Sequence, residues 1–401
     1  MSNLSQTQVQ SYPTTSFSGF STTQVAGFTA TELGYFTTTQ FTAFTTTQLG
    51  VLTSTQVAGF GTDDWGVIST TQIGALSSTQ LQQLSTAQIN AINTTAFTAL
   101  STTTIGGLNS TQVKGLNTTL VTALTTTQVG ALTTTQLGYF TTTQLNALDT
   151  TDVATLSTVQ VASLTATQIA GLQTTKVVSF TTTQIGVLTT TQVKALTTTQ
   201  VTQITTTQVG ALTTVQIGVL ADTQIDALTT TALATFSTTQ IGALSKTQIG
   251  FLSTTAAAAL TTQQIGALST TQVQGFSTTQ LNAMTTTEIS TFGTTQIANL
   301  TTTQIKGLST TAVNALTTTQ VGALTTTTVQ LLSTTQLNAL TTTTTAALST
   351  TQVSSLTVTQ LAGLNTTHFT ALSTTQIGAL TTTQVKGLST TDVAAFTTTQ
   401  I

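Results

Sequence analysis

Leu124-Thr125-Thr126-Thr127-Gln128-Val129-Gly130-Ala131-Leu132 is one full period of the chain and the first residue of the next. Its eight slots are labelled a to h, with Leu124 at a. Moving outward, slot a holds Leu4, Tyr12, Phe20 and Phe28 on one side and Leu132, Phe140, Leu148 and finally Phe396 on the other. The spacing of eight never breaks, and all fifty residues in this slot are apolar. A globular enzyme builds its site from loops of unequal length, and this sequence has none. A fixed short period means a solenoid or an array.

The consensus is Leu-Thr-Thr-Thr-Gln-Val/Ile-Gly/x-Ala. Apolar anchors fall at a and f, with departures at f such as Trp65, Ala257 and Thr345. One long helix does not fit. Eight residues turn it roughly 80° beyond two full turns, so the apolar stripe would spiral around the rod. A coiled coil needs anchors every ~3.5 residues on average.

One short helix per octad fits better. Slot b is Thr or Ser, elsewhere Asn93, Asn109, Asn117, Asn365 or Asp149, and these side chains accept from exposed N–H groups of a first turn. Slot e, three residues on, is Gln, which completes a capping box; a and f then form a hydrophobic staple. Acids replace Gln at Glu32, Asp64, Asp152, Glu288 and Asp392, and Lys114, Lys194, Lys306 and Lys386 stand at g. That distribution complements the helix dipole. The Ala-rich run 255–260 suits a helix, and the single proline, Pro13, falls in slot b, outside any helix interior. The expected fold class is therefore all-α, a solenoid of very short capped helices with one helix per repeat. The competing reading is a β-solenoid, because Thr, Val and Ile favour strands and Thr and Gln stack into ladders. Anchors at a and f have opposite parity, so each octad would then need a kink, which glycine at g could supply.

Residues 1–401 read as a single continuous octapeptide-repeat solenoid. A lone octad has two anchors to offset the ordering of eight residues, so neighbours must share a core. Stacked in two rows at ~9 Å per layer, the helices would make a rod on the order of 200 Å long. Slot a is aromatic at Tyr12, Phe20, Phe28, Phe36, Phe44 and Phe60, and Phe17, Phe41 and Trp65 lie in the same stretch. Residues 1–68 thus read as an aromatic-rich N-terminal cap or docking end. Ile401 falls in mid-repeat, so the chain reads as part of a longer one.

Charged residues are 4% of the chain, with six lysines, no arginine and nine acids; ordinary domains carry roughly 25%. No basic stripe exists, which speaks against nucleic acid as a partner. There is no cysteine, so disulfides and thiolate chemistry are excluded. No apolar run is long enough for a membrane span. The N-terminus is already repeat and carries no cleavable signal pattern.

Candidate chemistry is sparse. Asp63-Asp64-Trp65 pairs acids with a large aromatic, but the three occupy d, e and f, where a helix start and an anchor are expected. His368 stands in the Gln slot beside Phe369; without a second His or a Cys it cannot build a zinc site. Nothing singles out a Ser-His-Asp set, a phosphate loop or calcium repeats, and the lysines at g read as solvated. The expectation is no catalytic, cofactor-binding or metal site, no cofactor and no enzyme.

Slots b to e form a Thr/Gln face, read as a neutral hydrogen-bonding skin with little charge to keep rods apart. The run Leu-Thr-Thr-Thr-Gln-Val-Gly-Ala-Leu resembles the Thr/Gln-rich tracts of giant secreted bacterial proteins of the adhesin or hemolysin-like kind. The resemblance implies export and a structural role at the cell surface. The expected function is a stalk, spacer or filament subunit that self-associates side by side or end to end. The alternative is a binding module with a Thr-rich face for ice or a polysaccharide.

Overall fold

The computed structural model describes residues 4–400. They form forty-nine helices of four to six residues, and no strand occurs among the described residues. The β-solenoid alternative is therefore not realised. Capping explains why. In a typical octad the helix is Thr190–Ala195, with Thr189 extended at the N-cap. The Gln192 N–H donates to Thr189 Oγ1 at 3.2 Å, and Gln192 Oε1 accepts from the Thr189 N–H at 2.8 Å. The Val193 N–H bonds back to the Thr189 carbonyl at 2.9 Å, and the Leu196 N–H closes the end on the Val193 carbonyl at 3.2 Å. Slots a and b stay extended and make the corner to the next helix. Pro13 takes the N-cap position at φ −61°, where its missing N–H costs nothing.

The chain divides into two compact units, Met1–Gln203 and Ile204–Ile401. Each is a helical solenoid of the same build. Within each unit a helix packs on the one three places further along: Thr134–Tyr139 on Thr158–Ser163 in the first, Thr254–Ala257 on Thr278–Ala283 in the second. Side-chain bonds between turns span 25 to 31 residues, so a turn holds between three and four octads. The two-row stack expected from sequence is corrected accordingly. A sharp reversal after each helix would need a left-handed residue at its end, and the helix-ending residues keep negative φ, −82° at Gly27, −84° at Gly107 and −57° at Leu196. The extended corner bends the chain less, and more octads are needed to come round.

The core is a column of f and a side chains. Slot f lies deepest, with Val113, Ile169, Val193, Ile249 and Val313 at 0% exposure. Slot h packs on slot c of the preceding turn, 29 residues earlier. A Cβ on Gly59 would lie 2.2 Å from the Ala30 carbonyl oxygen, and one on Gly275 2.4 Å from that of Lys246. Glycines at g, such as Gly130, Gly138 and Gly266, face open space. Tyr12, Phe17, Phe20, Phe28, Phe36 and Phe44 form a chain of mostly edge-to-face rings 5.1–6.3 Å apart.

Candidate functional site

The glutamines at e do not belong to the surface skin. Away from the first and last turns nearly all are buried, Gln112, Gln192 and Gln304 at 2–3% exposure, and these join two turns. The Oε1 of Gln192 caps its own helix start, while its Nε2 donates to the carbonyls of Val161 at 2.8 Å and Leu164 at 2.7 Å. Gln136, Gln168 and Gln200 do the same in the first unit, and Gln248, Gln272 and Gln336 in the second. The accepting carbonyls belong to slots f and a, 31 and 28 residues back. Both close an earlier helix, the slot f carbonyl while also accepting from the slot a N–H that follows it, as Val161 does from Leu164; the N–H on Oε1 is a donor without a helical partner at the start of a later one. A side-chain amide carries both functions at once. The reading of slots b to e as one polar face is thus corrected: b, c and d face outward, e faces in. The sequence held one signal for this. Glu would complete the capping box equally well and suit the dipole better, yet slot e is overwhelmingly Gln.

Residues that replace Gln keep part of this bonding, each as its chemistry allows. Buried Lys176 donates its ammonium to the Leu148 carbonyl. His368, 7% exposed, places Nε2 2.6 Å from the Leu340 carbonyl oxygen and Nδ1 2.8 Å from Asn365 Oδ1. It fills the glutamine position inside the core. Glu32 accepts from the Thr29 and Leu4 N–H groups at 2.8 and 2.7 Å. Burial opposes its charge, but those bonds win and hold its carboxyl below the ordinary value. Glu288 keeps only its local bond, to the Thr285 N–H, and is half-buried.

A second row runs the other way. Asn90 at g donates to the Gly115 carbonyl at 2.7 Å and accepts from the Asn117 N–H at 2.9 Å. Asn146, Asn282 and Asn338 repeat the pattern on Gly171, Gly307 and Gly363. Lys114, read as solvated, is exposed but lies over the Tyr139 ring at 5.0 Å.

The Asp63-Asp64-Trp65 stretch does not gather into a site. Asp63 is exposed, Trp65 sits in the core against Phe41 and Phe60, and its Nε1–H has no partner. Among the described residues no group of His, Cys, Asp and Glu could hold a metal ion. Nor is any helix among them long and apolar enough to cross a membrane. Asp64 accepts from the Gly61 N–H at 2.9 Å. Burial, reinforced by the Asp63 charge, pushes its carboxyl up to about 6 against that bond. A raised carboxyl binds more protons folded than unfolded, so stability falls as pH rises from about 4 to 6. Asp64→Gln removes that penalty and places an amide in line with the carbonyls of Leu33 and Phe36. Its melting temperature is expected to exceed wild type by more at pH 8 than at pH 4. An equal gap at both would refute the assignment. Burial likewise raises the Asp152 carboxyl; the bond from the Asp149 N–H opposes the shift, the Asp149 carboxylate adds to it, and Lys176 moderates it.

Five stretches of the chain, residues 57–94, 217–254, 257–294, 289–326 and 358–390, are similar to the ALTTAQ repeat. Together they cover less than half of its length. Comparison with curated proteins gave no match.

Proposed function

We propose that this chain is a structural repeat protein of the bacterial cell surface, acting as an extracellular stalk, spacer or self-associating filament subunit. The observation that carries the reading is the uniformity of the glutamine rows. Octad after octad uses its chemistry-bearing side chains to hold the next turn, which leaves reach and stiffness as the product of the fold. The similarity to the ALTTAQ repeat and the resemblance to adhesin-like tracts support the surface location. The octad register runs unbroken through residues 203 and 204, which supports reading 1–401 as one repeat array. The aromatic stretch 1–68 reads as its specialised docking end. The ice-binding alternative loses its basis, because the Thr residues sit on helical first turns rather than on a flat strand ladder. Their exposed hydroxyls remain compatible with a surface polysaccharide.

One experiment tests location and role together. Cells producing the chain, or a version lacking residues 133–156 (three whole octads), are treated intact with protease. Both chains are expected to be cut, and both to keep the same helicity per residue. Protection until lysis overturns the surface reading. Collapse on losing three octads overturns the idea that length, rather than any one octad, is what matters.

A further inference from the structure

We infer that the octad 340–347 is a give-way point, where one turn parts from the turn before it while the clipped turns on either side stay closed. Its use under tension rests on the structural-repeat reading; the weakness of the seam does not. Leu340-Thr341-Thr342-Thr343-Thr344-Thr345-Ala346-Ala347 departs from the repeat in both inward-facing slots. In slot e, Thr344 stands in place of Gln and is buried. Its Oγ1 bonds only within its own octad, 3.0 Å from the Oγ1 and from the carbonyl oxygen of Thr341. Among the described residues no side chain donates to the carbonyls of Val313 and Leu316, which a glutamine at 344 would reach. In slot f, Thr345 is the one polar residue of the whole series. It is 2% exposed, and its Oγ1 has no hydrogen-bond partner. Thr has the shape of Val, so the slot stays filled, but a buried hydroxyl without a bond costs free energy that a methyl does not.

The seam beneath it lacks its clip as well. Ala312 stands in slot e there, and among the described residues no side chain donates to the carbonyls of Leu281 and Met284. The seams before and after this pair are clipped. Gln280 reaches the carbonyls of Ile249 and Leu252 at 3.1 and 2.5 Å, and Gln376 reaches those of Ala346 and Leu348. Elsewhere a lost glutamine is replaced. Where Ala96 has no amide, Asn93 Nδ2 donates to the carbonyls of Gly66 and Ile68 at 3.1 and 2.9 Å, and Lys176 serves Leu148. Nothing replaces it at 344. A clipped seam loses two amide bonds when it opens. This one loses none, and opening gives water to the Thr345 hydroxyl and the Leu316 carbonyl. Turns pulled along the axis carry the load in series, so each seam feels the same force and the weakest parts first.

Hydrogen exchange and an optical trap test this on the full chain. Thr344→Gln with Thr345→Val restores the clip and removes the unpaired hydroxyl, both toward the repeat's own consensus. The next octad is the internal standard, since Gln352 reaches the carbonyls of Val321 and Leu324 at 2.9 and 2.7 Å. Without load, the amides at 345 and 348 are expected to exchange about 100-fold faster than those at 353 and 356, and the double substitution should abolish the difference. The chain has no cysteine, so Thr303→Cys and Thr375→Cys, both at exposed positions, attach handles that pull on this stretch alone. At one fixed low load the double substitution should open about 100-fold less often than the handled chain without it. Exchange at 345 and 348 no faster than at 353 and 356 overturns the inference, as do equal opening rates under load. Either result leaves the spacer reading standing, because the protease test on intact cells speaks to location and not to this seam.

Discussion

Gln192→Glu is expected to be among the most damaging single substitutions in the first unit, although it exchanges one NH2 for one oxygen. One carboxylate oxygen can keep the Thr189 N–H, bonded at 2.8 Å in the native chain. The other would face the carbonyl oxygens of Val161 and Leu164, where the native amide nitrogen sits 2.8 and 2.7 Å away. Lone pairs meet lone pairs in a site 2% exposed. An unpaired buried charge costs about 3–5 kcal/mol. Repeat arrays open locally, so the readout is hydrogen exchange at the amides of 157–164 and 189–196, expected to speed up more than ~100-fold. Burial raises the new carboxyl above its unfolded value of ~4.3. The folded form then binds more protons, the damage grows as pH rises through that range, and it fades below about pH 4, where a protonated acid can donate to one carbonyl. Glu288 displays the same conflict in the native chain: its side chain keeps the local cap and is half-buried, while glutamines in the slot lie buried. Exchange unchanged at pH 7 would sink this account.

Gly59→Val comes next. The Cβ alone would stand 2.2 Å from the Ala30 carbonyl oxygen and 2.8 Å from the Ala30 carbonyl carbon and Cα. These are backbone atoms of the neighbouring turn, so no rotamer relieves them and the turns must part. Overpacking of this kind costs about 3 kcal/mol, seen as a lowered melting temperature and faster exchange in 26–34 and 54–61. Gly138→Ala is the matched control. Nothing lies within 4 Å of its added methyl, and it sits inside the helix Thr134–Tyr139, where Ala is favoured over Gly by up to ~1 kcal/mol. Opposite signs at glycines in two slots of the octad would show that slot h is set by contact between turns. Destabilisation at both would refute that.

The octad, the helix in each copy and its cap were legible in residues 124–132, because each depends on partners within eight positions. A b-slot hydroxyl, a Gln three residues on and anchors at a and f close a loop of local bonds, and local bonds leave a local pattern. Likewise Asp64 was legible as a helix start and Trp65 as an anchor. The inward turn of Gln192, the seat of His368 in the core, the clip from Asn90 to Gly115 and the need for glycine at 59 were not. Their partners lie 25 to 31 residues away, and that separation is set by how far the extended corner at a and b bends the chain. The sequence by itself determined what each octad becomes. Only the tertiary structure decided which carbonyls each amide meets, because small bends at successive corners add up over three to four octads before one turn touches the next.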